Sequence, residues 1–117
     1  MSRRGRERAG RHAEMLAAWL LCARGFRVLA RRYATPVGEI DLVARRGKLL
    51  VFVEVKRRAT REDALIALQP QQQARIARAA EAFLQRHAEL AAHDLRFDLI
   101  SVVPWRLPHH LVDAWRT

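Results

Sequence analysis

Apolar positions along the 117-residue chain follow two periods. Over residues 7–24, Ala9, Ala13, Leu16, Ala17, Leu20 and Leu21 recur every three or four residues, and Gly25 stands where such a helix would stop. Glu14 falls beside Gly10, Ala17, Ala18 and Leu21, on the flank of the apolar stripe. The period then drops to two. Residues 25–30 alternate as a strand, residues 34–38 around Pro36 read as a loop, and residues 39–44 and 49–56 form two more strands. Arg45-Arg46-Gly47-Lys48 between them is a Gly-containing hairpin connection.

Pro70 suits a first helical turn and not a helix interior, so a second helix is predicted to start there, burying Ile76, Ala80, Phe83, His87 and Leu90. Residues 95–103 read as another strand and residues 111–115 as a short strand or turn. The order αβββαβ predicts an α/β domain, a central mixed β-sheet flanked by helices. Trp19, Phe26 and Phe83 all occupy core-like positions in this pattern, and His109-His110 read as solvent-facing.

Strand alternation also groups charged residues. Glu39 and Asp41 share a face of one strand, and Glu54 and Lys56 share a face of the next. A two- or four-residue connection sets odd-numbered residues opposite even-numbered ones, which predicts all four side chains on one sheet face. Three carboxylates and one amine in a cross-strand neighbourhood repel one another unless something compensates. A divalent cation does so, since Mg²⁺ accepts one or two carboxylates and keeps several waters that phosphates can displace. The strand over residues 49–56 is apolar on both faces, with Leu49, Val51, Val53 and Val55 on one and Leu50 and Phe52 on the other. Charges at the end of such a buried strand are costly unless paired or metal-bound. The bland alternative is a hydrated face on which Lys56 pairs with Glu54.

Composition changes this picture in one direction. Lys+Arg 22 against Asp+Glu 12 gives a net charge of +10, which favours polyanionic partners. Nine Arg and two Glu lie within residues 1–35, so most of the excess charge precedes the acidic constellation. Residues 1–9 are expected to be a basic, flexible segment, and residues 10–117 one domain. Arg4, Arg8 and Arg11, with Arg57 and Arg58 beyond the strand over residues 49–56, are the candidate phosphate contacts. Lys48 and Lys56 are the only lysines, which singles out Lys56 in a chain that otherwise uses Arg. Cys22 is the only cysteine, so an intrachain disulfide and a cysteine-ligated zinc site are both excluded. Arg3-Arg4 ahead of an apolar stretch outlines an export signal, yet Gly5-Arg6-Glu7 follow the arginines and Glu14 interrupts the stretch. No run approaches the roughly 20 apolar residues of a membrane span. The expectation is a cytoplasmic protein without a membrane partner.

Asp41 followed by Glu54-Val55-Lys56 resembles the PD-(D/E)xK nuclease signature. Gly38-Glu39-Ile40-Asp41-Leu42 and Phe52-Val53-Glu54-Val55-Lys56-Arg57-Arg58 resemble the YraN-like family of small bacterial proteins, itself similar to archaeal Holliday-junction resolvases. Gly10, Ala13, Glu14, Ala17, Leu20, Gly25, Phe26, Arg96-Phe97-Asp98 and Ala114-Trp115 extend the resemblance over most of the chain. It implies a restriction-endonuclease-like fold and a structure-selective endonuclease using Mg²⁺ or Mn²⁺ on nucleic acid, DNA ahead of RNA, with room for a homodimer. The noncatalytic alternative is a nucleic-acid-binding accessory protein that kept the fold.

Carried over, the resemblance makes Asp41, Glu54 and the Val55 carbonyl metal ligands and Lys56 the group that orients or activates the attacking water. Glu14 matches an auxiliary acid, or is a helix-surface acid near an Arg-rich start. Glu39 is a partner of a ligand or a ligand to a second metal, and Asp98 stays outside the site. Gln71-Gln72-Gln73 stands where the family often has a lysine.

Overall fold

Backbone chemistry close to each element decides where it ends. The computed structural model describes the backbone of residues 3–117 and the side chains from residue 10 onward. Helix α1 (Arg3–Ala23) stops in a Schellman motif: the Gly25 N–H donates to the Cys22 carbonyl at 3.0 Å and the Phe26 N–H to that of Leu21 at 2.9 Å. Gly25 takes φ 85°, which glycine adopts without a side-chain clash. Helix α1 begins at Arg3, upstream of the predicted residue 7. The side chains of residues 1–9, including Arg4 and Arg8, lie outside the described residues.

Strands β1 (Arg27–Thr35), β2 (Gly38–Arg46) and β3 (Leu49–Arg57) form an antiparallel meander. The predicted loop around Pro36 shrinks to Pro36-Val37, because the Thr35 hydroxyl receives the Val37 and Gly38 N–H groups and donates to the Gly38 carbonyl at 2.7 Å. Those bonds satisfy the turn and let β1 run on as a strand. The second connection is Gly47-Lys48 alone, with Gly47 at φ 59°.

The crossover after β3 carries a short helix, α2 (Arg61–Ala67), that periodicity did not predict. Its signal is the N-cap: the Thr60 hydroxyl accepts the Asp63 N–H. Helix α3 (Pro70–Arg86) starts at the predicted proline, and a single 3₁₀ turn (Ala88–Leu90) leads into β4 (Asp94–Val102) and β5 (His109–Trp115). The sheet order is β1-β2-β3-β4-β5, with β3 and β4 parallel and the other neighbours antiparallel. This mixed sheet flanked by helices is the arrangement of a restriction-endonuclease-like α/β domain. No helix among the described residues is long and apolar enough to cross a membrane.

Central strand β3 is buried on both faces, as its composition predicts. Leu50 and Phe52 pack with Ile76, Ala80 and Phe83 of α3, while Val51 and Val53 pack with Ala13, Ala17 and Leu21 of α1. Each Val, Leu, Ile or Phe among them contributes on the order of 1.5–3 kcal/mol. Two expectations fail at the edges of this core. Trp19 is 77% exposed, because the stripe that α1 buries is built from Ala13, Ala17, Ala18 and Leu21 and Trp19 points away from it. His110 is 8% exposed and not solvent-facing: β5 begins at His109, two residues earlier than predicted, and turns His110 inward.

Candidate functional site

Strands β2 and β3 pair from Arg46↔Leu49 to Leu42↔Val53, and the ladder ends there. At the next position Asp41 uses its side chain where a strand would use its carbonyl, the Val55 N–H donating to Asp41 Oδ2 at 2.8 Å. Ile40 and Val43 are three residues apart yet pack in the same cluster beneath α3, so the alternation of side chains breaks around Asp41. On the neighbouring strand Arg32 lies between the pairs Arg31↔Leu42 and Tyr33↔Ile40 and takes φ 50°, an uncommon conformation for a residue with a side chain. The sheet therefore forks at Asp41, and the carboxyl fills the fork.

Glu54 continues the parity of Leu50 and Phe52 at the end of β3 and is 6% exposed. The Asp41 carboxyl is the acid whose charge acts on it, and Lys56 Nζ stands 3.6 Å from Glu54 Oε1. Burial pushes the Glu54 pKa up, the Asp41 charge pushes it further, and Lys56 only partly offsets them, leaving it at about 9. Asp41, Glu54, Val55 and Lys56 thus come together.

Glu39 departs from the predicted shared face. The break at Asp41 reverses the parity beyond it, and Glu39 lines a recess with Gly10, Arg11, Glu14 and Arg32. Glu14 is engaged there, its Oε2 accepting from Arg32 Nε at 2.6 Å. The Arg32 pKa is raised first by this bond, with smaller contributions from the charges of Glu14, Glu39 and Asp41. Arg32 is the residue that sequence reading missed. The two-residue turn at Pro36-Val37 sets it opposite Asp41, and reading residues 34–38 as a loop hid that register. Arg57 and Arg58 are exposed just past Lys56, and the Arg58 N–H donates to the Val102 carbonyl at 3.2 Å. Gln73, in the Gln71-Gln72-Gln73 stretch, donates to the Leu68 carbonyl at 3.2 Å.

Gly38 permits this end of the sheet to meet α3. A Cβ at that position would lie 2.7 Å from the Arg75 carbonyl oxygen. Asp98, kept outside the site by the sequence, is fully buried elsewhere on the sheet. It receives Arg96 Nε at 2.8 Å, Arg96 Nη2 at 2.9 Å, His110 Nε2 at 2.7 Å and the Asp113 N–H at 2.9 Å. Arg24 Nη1 lies 3.0 Å from His110 Nδ1, so the ring bridges Arg24 and Asp98.

The carboxyls of Asp41 and Glu54 and the Val55 carbonyl are oxygen donors of the kind a hard divalent cation takes. Burial first and the Asp41 charge second raise the Glu54 pKa, and such an ion would offset both. Among the described residues, no group of three or more His, Cys, Asp and Glu side chains is gathered as a metal cluster.

The model of the uncharacterised protein family UPF0102 matches residues 13–102, which include every residue of the fork. A UPF0102 protein of Paramagnetospirillum magneticum is 52% identical over 114 residues, covering 94% of this chain and 88% of that protein. One from Parvibaculum lavamentivorans is 54% identical over 109 residues, covering 93% and 82%. Another from Rhodopseudomonas palustris is 55% identical over 106 residues, covering 91% and 81%. With the family model spanning most of the domain and relatives above half identity along nearly its whole length, the chain belongs to the UPF0102 (YraN) family.

Proposed function

We propose that this protein is a metal-dependent endonuclease that hydrolyses phosphodiesters in DNA and selects its substrate by strand structure. The observation that carries the reading is the fork, where Asp41 and Glu54 meet beside Lys56 at the end of a strand buried on both faces. Asp41, Glu54 and the Val55 carbonyl would hold Mg²⁺ or Mn²⁺, which when bound supplies polarisation of a phosphodiester oxygen and a more acidic water. The Val55 N–H fixes the Asp41 carboxylate in place. Lys56, a compact point cation, offsets charge on the crowded phosphate and orients the attacking water. Arg57 and Arg58 meet the phosphate backbone beside the cut, and Arg4, Arg8 and Arg11 of α1 extend the contact without reading bases. Glu14 acts through Arg32, balancing the cation next to Asp41.

The test is a panel of single-stranded, flap, junction and nicked DNAs incubated with Mn²⁺. Wild type should cleave at least one of them only with metal, Lys56→Arg should bind DNA and metal but lose most cleavage, and Asp41→Asn should lose metal binding together with cleavage. A wild type without metal-dependent cleavage, or an equally active Lys56→Arg, overturns the assignment. The noncatalytic binder is the second reading, favoured by the net charge of +10, which suits a polyanion whether or not it is cut. It expects binding that weakens steeply with salt and no cut in any substrate.

A further inference from the structure

Strands β3 and β4 run parallel with Lys56↔Ser101 and Arg57↔Val102 in register, so both leave the sheet at the end that carries the fork. The chain after Val102 turns directly into residues 103–108, Val103-Pro104-Trp105-Arg106-Leu107-Pro108, beside Arg57 and Arg58. The Arg106 N–H closes the turn on the Val103 carbonyl at 3.2 Å. At its tip Trp105 is fully exposed, and Leu107 is exposed as well. Trp105 also takes φ 65°, a left-handed backbone that a bulky side chain rarely adopts and that glycine or asparagine would accept more readily. Pro104 and Pro108 flank it, and each fixes a φ and limits the loop's freedom. An indole held in solvent on a strained, proline-bounded turn is costly to the free protein.

Its surroundings indicate what offsets that cost. Arg57, Arg58, Arg61 and Arg106 are all exposed, and among the described residues none of them forms an ion pair. A flat aromatic face on the turn that follows Val102, whose strand partners are Arg57 and Arg58, matches a nucleotide chain, with phosphates for the arginines and a base face for the ring. Continuous duplex offers no free base face. A flap, a nick or a single strand does.

We infer that Trp105 is a stacking residue that receives an unpaired base next to the cut, so that the preferred substrate is DNA with single-stranded character at the scissile position. The inference rests on the nuclease reading for the position of the cut. Recognition itself requires only DNA binding, which can be measured separately.

Fluorescently labelled single-stranded, forked and continuous duplex DNAs of equal length are titrated in EDTA against wild type, Trp105→Ala and Trp105→Phe at several salt concentrations. Trp105→Ala should bind single-stranded and forked DNA about tenfold more weakly, bind duplex within about twofold of wild type, and keep the same salt slope. Trp105→Phe should recover most of the loss, and forked DNA should quench tryptophan fluorescence less in Trp105→Ala than in wild type. Equal losses on fork and duplex, no loss at all, or a Trp105-dependent affinity for anionic vesicles with unchanged DNA binding would each overturn the inference. Wild type that binds these DNAs without cutting them with Mn²⁺ overturns the nuclease reading and leaves Trp105 stacking standing. Wild type that binds none of them overturns both.

Discussion

Two buried carboxylate centres sit one register step apart on paired strands, since Val53 pairs with Asp98 and Glu54 with Leu99. They are built in opposite ways. Asp98 shares its parity with Ile100 and Val102 on the α1 side, and four donor groups surround it. Although burial pushes its pKa up, the bonds from His110, Arg96 and the Asp113 N–H outweigh that and hold it below the usual carboxylate range. Glu54 faces the α3 side with a second carboxyl as its neighbour and one lysine at 3.6 Å, and its pKa rises to about 9. The Asp98 centre is saturated and holds β4, β5 and the end of α1 together. The fork is short of positive charge, which is the electrostatic state expected of a place that receives a cation.

The largest test of that contrast is stability. Asp98→Ala leaves buried His110 and the part-buried Arg96 and Asp113 N–H without their acceptor and should cost about 3–5 kcal/mol in urea denaturation. Asp41→Asn keeps an oxygen for the Val55 N–H, removes a like charge, and should change stability by less than about 1 kcal/mol in EDTA. Equal losses would erase the distinction. Activity should sort the other way. Lys56→Arg should lower cleavage about 100-fold, a barrier change of about 2.7 kcal/mol, while Asp98→Asn, measured where it is folded, should cut at a rate close to wild type.

Gly38→Ala probes the scaffold that carries the fork. Its Cβ would meet the Arg75 carbonyl, so α3 must shift at a cost of about 1–3 kcal/mol, read as a lower melting temperature. The smallest effect is the pH dependence of Asp98. Because its folded pKa is lowered, the stability it contributes is complete above the unfolded value of about 3.9 and is lost as pH falls through the folded value. Acid titration of wild type should show this loss, and Asp98→Asn should lack it.

The strands and the fork acids were legible because they depend on local rules. Alternation marked Glu54 and Lys56, the Gly47 turn set Asp41 opposite Glu54, and Pro70 marked the start of α3. Arg32 was not legible, since its position follows from a two-residue turn that the Thr35 hydroxyl makes possible. Glu39 was assigned to the wrong face because parity fails where β2 breaks at Asp41. Trp19 and His110 show the same limit from the other side. A single apolar or polar position does not reveal which way its element faces until the packing of small residues such as Ala17 and Ala18 is known.

The one parallel pairing in the sheet has a consequence for the order of folding. Strands β1, β2 and β3 are joined by two-residue turns and close with little loop entropy, whereas β4 reaches β3 only after α2, α3 and the 3₁₀ turn have been laid across. The Asp41 and Glu54 side chains therefore meet within the early meander. The Trp105 turn and the Asp98 network wait for the crossover. Pulse-labelled hydrogen exchange during refolding should protect the β2 amides before those of β4, and simultaneous protection would mean that the meander does not form on its own.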